Sequence, residues 1–424
     1  MTKAPHRPKG LAAIDPRAVP LVHGSEVTTL RALPDPAGRR DIPMGSVGRV
    51  TGLPGDDRVT VRLVGRGEFT VARHDVAPRN DGQLRYALSR EATERALGPC
   101  AIYQATVGSR AWGLADEGSD HDTRGVVLWP FAWSVARGRV PDVFTSADGS
   151  HSWWELGRTI RQALRADPNT LEALFVPDYR ATDEIGDALR DARQCFVSQE
   201  IYGSFGRYAL AQSAKLTKSL RLAEHRALVL DWLAADPSQT LDAVAARLAE
   251  AAMSVSDAAA QLQAKQYLKQ LYGSMHDQGL IASRSFDGLV ALARDGGADL
   301  DLPRELRPKN AYNLLRIASC AVTWLQTGAP LIETTGELRE QLLAIKQGAV
   351  DLATALRWTD AVSDQLEAAR ASSVLPKAPD FAAADRLLLR AREVAADRWL
   401  RGADGPWGKD AAPPPAPIDE RRAQ

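Results

Sequence analysis

The chain has 424 residues, 45% of them hydrophobic, with 53 Lys plus Arg against 53 Asp plus Glu. That length is enough for two or three domains with ordinary cores. The balanced charge excludes the global basic excess of a strong non-specific nucleic-acid binder, although a local basic groove stays possible.

Residues 1–19 are rich in Pro and charge and read as a flexible tail. They contain no apolar run of the signal-peptide kind, and no stretch of eighteen apolar residues occurs anywhere, so no membrane span is expected. Cys100, Cys195 and Cys320 lie far apart without C-x-x-C spacing. That argues against a disulfide framework or a zinc site and fits a cytoplasmic location.

Residues 20–83 read as short strands. Arg58-Val59-Thr60-Val61-Arg62-Leu63 alternates apolar with polar, Gly65-Arg66-Gly67 turns, and Glu68-Phe69-Thr70-Val71 resumes the alternation. Residues 44–50 form another short strand, and the set suggests a small SH3-like β-barrel. Arg49, Arg58, Arg62 and Arg66 decorate either a solvated polar face or a face that binds RNA or a partner. Residues 84–97 have a helical pattern ended by Gly98-Pro99.

Next comes the stretch that carries chemistry. An apolar run, residues 101–107, leads into Gly108-Ser109-Arg110-Ala111-Trp112-Gly113-Leu114-Ala115. Ser119-Asp120-His121-Asp122-Thr123-Arg124-Gly125 follows, and then a second apolar run, residues 126–128. Gly108 can take angles that bring main-chain N–H groups close to a phosphate, and Ser109 adds a hydroxyl. Asp120 and Asp122, two apart, point the same way on an extended strand. Paired carboxylates suit Mg²⁺, which is held by one or two carboxylates plus substrate phosphates.

This order resembles the signature of the DNA polymerase beta-like nucleotidyltransferase superfamily, and more closely its bacterial and phage RNA repair pathway branch. The resemblance runs over roughly residues 98 to 400. It includes Asp167-Pro168-Asn169-Thr170-Leu171-Glu172, similar to an Asn-Pro-Asn-x-x-Glu stretch of the branch, and residues 338–348, similar to a Leu-Leu-x-Ile-Lys-x-Gly segment. It implies an α+β fold: a small mixed-sheet nucleotidyltransferase core (84–184) preceded by the β-barrel and followed by a large helical domain (185–400). A Pro- and Gly-rich tail (401–424) would end the chain.

Within the core, residues 151–154 read as a third strand before a helix over 155–166. Asp167 caps a further helix, with Pro168 at its first position. The superfamily supplies a third carboxylate from a later strand. Glu155 is the first choice and Asp148 the alternative, with His151 a neighbour on the same face as Glu155 if the segment is extended; the competing reading of Glu155 is a helix-start residue favoured by the dipole. Residues 185–400 are helical in spacing. Pro308 opens a helix on which Lys309, Asn313 and Arg316 share a face. The resemblance makes Lys309 and Arg316 candidate phosphate binders, and Lys346 either reaches the nucleotide or is an exposed helix-end lysine.

The expected mechanism is nucleotidyl transfer with Mg²⁺ or Mn²⁺. Asp120 and Asp122 would hold the metal and Glu155 would complete the catalytic set. Gly108, Ser109 and the N-terminus of a short following helix would hold the triphosphate. Arg110, Arg124, Lys309 and Arg316 would neutralise its charge. The resemblance implies an NTP as substrate and an RNA end as acceptor, with no membrane partner. Transfer to a protein or small molecule is one alternative, and a non-catalytic RNA- or partner-binding protein is another. Trp112 and Trp153-Trp154 are either base-stacking platforms or core aromatics.

Overall fold

A computed structural model of the chain describes residues 21–35, 41–55, 57–63, 67–79, 96–117, 119–135, 140, 142–146, 150–253, 258–277, 280–295, 306 and 308–409. The fold is mixed α+β: two sheets followed by a large helical region. The expected helix over 84–97 lies almost wholly outside the described residues, as do Arg66, Asp148 and the tail from residue 410.

The first sheet has the order β4-β3-β2-β1-β5. Its strands are β1 (Glu26–Thr29), β2 (Val47–Gly55), β3 (Arg58–Leu63), β4 (Gly67–Ala72) and β5 (Val76–Pro78). Alternation sets which face is buried: Val59, Val61 and Leu63 of β3 and Phe69 of β4 join Val27, Val50 and Val76 in one small core. The expected barrel is not closed. Among the described residues β4 and β5 remain the two edges, and β2 pairs through irregular register at Val50, Gly52 and Gly55. Such irregularities bend a strand locally without joining the edges. Arg62 pairs with Glu68 directly across the strands and Arg49 with Glu26. The arginine face is thus partly neutralised by its own acids, as on a solvated sheet surface.

The second sheet has the order β10-β6-β7-β9-β8. Here β6 is Ala101–Thr106, β7 Thr123–Val127, β8 Val143–Thr145, β9 His151–Glu155 and β10 Tyr179–Ala181. β7 and β9 are parallel and the other pairings antiparallel. Trp153 lies flat across Gly125, where an added Cβ would come within 2.0 Å of its ring, and it stacks on Phe144. Trp153 and the buried Trp154 are therefore core aromatics.

Twelve helices complete the described chain. They are α1 (Phe131–Val135), α2 (Leu156–Leu164), α3 (Pro168–Phe175), α4 (Glu184–Asp191), α5 (Tyr208–Ala235), α6 (Leu241–Met253), α7 (Ala258–Asp277), α8 (Phe286–Arg294), α9 (Pro308–Thr327), α10 (Gly336–Lys346), α11 (Leu352–Ala371) and α12 (Phe381–Leu400). α3 starts as its sequence dictates: Pro168 stands at the first position and the Asp167 carboxylate accepts the Thr170 N–H at 2.9 Å.

One hydrophobic core runs from the second sheet into α9–α12, without a break near residue 185. Trp324 of α9 lies fully buried at its centre, edge-on to Phe175 and Phe205 at 5.0 and 5.6 Å between ring centroids. A second core joins the end of α5 to α6–α8. Residues 401–409, expected as tail, continue the fold: Arg398 lies over the half-buried Trp407 ring at 4.8 Å. No helix among the described residues is long and apolar enough to cross a membrane.

Candidate active site

The site begins at the turn between β6 and β7. Gly108 has φ +74°, and a Cβ placed there would meet the Asp122 carboxylate at 3.0 Å. Glycine is demanded twice, by its left-handed conformation and by the closeness of Asp122. The expected short helix after Gly-Ser is a succession of turns instead, closed by Trp112 N–H on Gly108 O and Leu114 N–H on Ser109 O. Two glycines at positive φ, Gly108 and Gly113, break the helical path. The Ser109, Arg110 and Ala111 N–H groups have no acceptor among the described residues. Successive free N–H groups of this kind form an anion-binding concavity.

Asp120 and Asp122 lie just before β7 rather than within it, and Asp122 O extends the ladder by accepting Val107 N–H at 2.9 Å. Both line a cleft of about 580 Å³ together with Gly108, Ser109 and Arg124. Burial lowers the Arg124 pKa from its ordinary value, and the Asp122 and Glu172 charges oppose that shift. Across the cleft stand Lys309, Tyr312 and Asn313, all on one face of α9. Lys309 is exposed and has no partner among the described residues. Burial pushes the Tyr312 phenol up to about 12, so it stays protonated at neutral pH. The Asn313 side-chain oxygen is buried without a hydrogen-bond partner.

Two expected site residues are corrected by their surroundings. The Glu155 side chain is 2% exposed, pairs with Arg392 of α12 at 2.5 Å and accepts the Arg158 N–H at 3.0 Å. In the parallel register Glu155 faces Val127, so it lies five residues along the sheet from Asp122. At about 3.3 Å per residue that is roughly 16 Å. Glu155 is thus the N-cap of α2, not a third metal ligand. His151 faces Thr123 and hydrogen-bonds its hydroxyl. Among the described residues no three His, Cys, Asp or Glu side chains are placed to hold one metal ion together.

Arg316 is also corrected. It is 2% exposed, ion-paired with Glu172 of α3, and lies 3.6 Å above the Trp112 ring. The same helical face that brings Lys309 to the cleft carries Arg316 two turns deeper, where its charge is already matched. Arg110 does not line the cleft; it donates to Ser119 O at 3.0 Å and braces the loop between the two motifs.

Other residues join the site: Lys346 is the lysine that the sequence leaves between the nucleotide and an exposed helix end, while Glu172, Asn169 and Thr334 have no site role in the sequence reading. Glu172 and Asn169 reach the cleft from α3. The signal for Glu172 was an acid inside an apolar helix turn, where it is 5% exposed. Lys346, at the end of α10, contacts Leu114 O at 2.7 Å, Ser119 Oγ at 3.0 Å and Asp116 at 2.7 Å. Thr334 donates through both N–H and Oγ1 to Trp112 O. The helical region therefore pins the Gly-Ser turn from two sides. Trp112, 8% exposed, lies under Arg316 and in a T-shaped contact with Tyr312 at 6.0 Å, so it is a core aromatic.

A strand, a Gly-Ser turn and an Asp-x-Asp pair just before the next strand thus face a helical wall across one cleft. Residues 86–228, which carry this sheet and turn, match the model of the RNA repair pathway DNA polymerase beta family. No curated protein and no solved structure matches the chain.

Gly108→Ala tests the turn. Holding a non-glycine residue in the left-handed region costs about 1–2 kcal/mol, and the new methyl must also displace Asp122. The expected outcome is a modest drop in urea midpoint with a much larger loss of nucleotidyl transfer. Equal small losses in both would mean that the Gly108–Asp122 approach does not matter for activity.

Proposed function

We propose that this cleft transfers a nucleoside monophosphate from an NTP to an acceptor hydroxyl, with an RNA end as the acceptor. The observation that carries the reading is the convergence of Asp120 and Asp122 with the Gly108-Ser109 turn on one wall and Lys309 on the other. The RNA acceptor is supported by the family match over residues 86–228.

The donor set fits a hard divalent cation. Asp120 and Asp122 offer oxygen ligands in an open cleft, and Mg²⁺ is commonly held by one or two carboxylates with the rest supplied by water and substrate phosphates. Asp120 and Asp122 would hold Mg²⁺ or Mn²⁺ here, and such an ion supplies Lewis-acid stabilisation of the phosphoryl oxygens.

The chain's own groups do the rest. The Ser109 N–H and hydroxyl bind phosphate oxygens, with Lys309 and Arg124 neutralising their charge. Tyr312, protonated, donates a hydrogen bond into the cleft. Asn313 offers an amide oxygen that has no hydrogen-bond partner among the described residues and can accept from a bound molecule. Lys346 and Thr334 keep the turn in place so that these donors are set before substrate arrives.

The test incubates the purified protein with each α-labelled NTP, Mg²⁺ or Mn²⁺ and a pool of RNA. Label on RNA is the expected result. Label on protein or on a small molecule would move the acceptor to that class. No label on any acceptor, with Asp122→Asn binding RNA as well as the unaltered chain, would make this a binding protein of the same fold.

A further inference from the structure

Acidic residues number 53 in 424, yet residues 201–223 contain none. That segment carries Lys215, Lys218 and Arg221, spaced three apart on α5. All three are exposed, and none has an acidic partner among the described residues. Three-residue spacing on a helix makes neighbours of them, and six residues at 1.5 Å each put the outer two about 9 Å apart.

The packing of α5 on α11 shows where this row leads. Ser213 bonds Asp360 at 2.8 Å, while Tyr202, one turn before the start of α5, bonds Glu367 at 2.6 Å. Residue numbers fall on one helix as they rise on the other, so the two run antiparallel. Asp360, Asp364 and Glu367 of α11 accordingly border the beginning of α5, and Glu367 partners Arg207 there. In the same register Lys215 and Lys218 come level with Arg357, which is also exposed. α11 begins six residues after Lys346, a cleft-lining residue. The acids of α11 therefore border the beginning of α5, and the three cations follow them along α5, on the side where α11 starts.

We propose that Lys215, Lys218 and Arg221 form a track for the phosphate backbone of the RNA strand whose end enters the cleft. The inference rests on RNA as the acceptor and adds the surface that holds it. A row of unpaired cations complements a polyanion, and the balanced charge of the whole chain leaves such binding to a local patch. The α5 row lies inside the segment that matches the RNA repair family, residues 86–228. The track contacts phosphate and sugar rather than base edges, so it orients the strand without reading its sequence.

The experiment measures binding of a labelled single-stranded RNA oligonucleotide to the full chain across a salt series. For single strands the slope of log K against log salt is about −0.7 per phosphate neutralised. The triple variant K215Q/K218Q/R221Q is expected to bind more weakly at low salt and to flatten the slope by about two. K215R/K218R is expected to keep the slope of the unaltered chain, and so is Arg401→Gln, whose guanidinium pairs with Asp397 on α12. Circular dichroism and thermal melting check that each variant folds. An unchanged slope in the folded triple variant, with the unaltered chain binding RNA, overturns the track and leaves the transfer reading standing. No RNA binding by the unaltered chain overturns the track and the RNA acceptor together. Label transfer to a non-RNA acceptor alone would overturn the acceptor assignment and, with it, the track as a guide for the strand entering the cleft.

Discussion

Asp122→Asn is expected to cut nucleotidyl transfer by about a thousandfold while leaving the fold intact. The change keeps the size of the side chain and removes the formal charge next to Gly108, where Asp122 lies closest to the turn. A divalent ion in such a site supplies several kcal/mol of charge stabilisation, and each 1.36 kcal/mol is a tenfold change in rate. The backbone role of Asp122, accepting from Val107 N–H, survives the substitution. Thermal melting should therefore hardly move. Label transfer at saturating NTP and a Mg²⁺ titration are the measurements. Activity within tenfold of the unaltered chain would remove Asp122 from the metal site. Asp120→Asn makes a useful companion, because Asp120 is the more exposed of the two carboxylates.

Glu172→Ala is expected to destabilise the chain by about 3–5 kcal/mol, the usual cost of stripping one partner from a buried ion pair. Arg316 is 2% exposed and Glu172 is its acidic partner, so the substitution would leave a cation without compensation inside the core. The guanidinium also covers Trp112, whose carbonyl is held by Thr334, so the disturbance reaches the Gly-Ser turn. The double variant E172A/R316M separates stability from function. Replacing both charges with apolar groups restores much of the melting temperature, since the desolvation cost goes with them. Activity should remain low, because Glu172 also lines the cleft. Melting curves and label transfer on the two variants decide it. Recovery of both properties in the double variant would make the pair purely structural.

The local parts of this site were legible because their physics is local. Gly108 had to be glycine for a turn that brings N–H groups forward, and Asp120 and Asp122 stand two apart beside a strand that starts one residue later. Asp167-Pro168 announced a helix start, and the alternation in residues 58–63 announced a strand with Val59, Val61 and Leu63 inside. The short helix after Ser109 was misread because two glycines at positive φ turn the chain where composition alone allowed a helix.

Charged residues were harder to place, because a sequence shows a charge but not its surroundings. Glu155 was rightly located at the junction of β9 and α2. Whether that junction is near Asp122 depends on the direction of β9, and the parallel pairing with β7 puts it at the far end of the sheet. Arg316 was rightly grouped with Lys309 on α9, but two helical turns separate an open cleft from a buried core, and only packing shows on which side each lies.

By itself, then, the sequence determined the Gly108-Ser109 turn, the Asp120/Asp122 pair, the strand on either side of it and the start of α3, since each depends on residues a few positions apart. Tertiary structure alone decided the partners. Glu172 meets Arg316 from 144 residues away, and Lys346 reaches Leu114 from 232. Those meetings turn on long-range packing and on which charges lose water when the helices close over the sheet, and no local pattern encodes either.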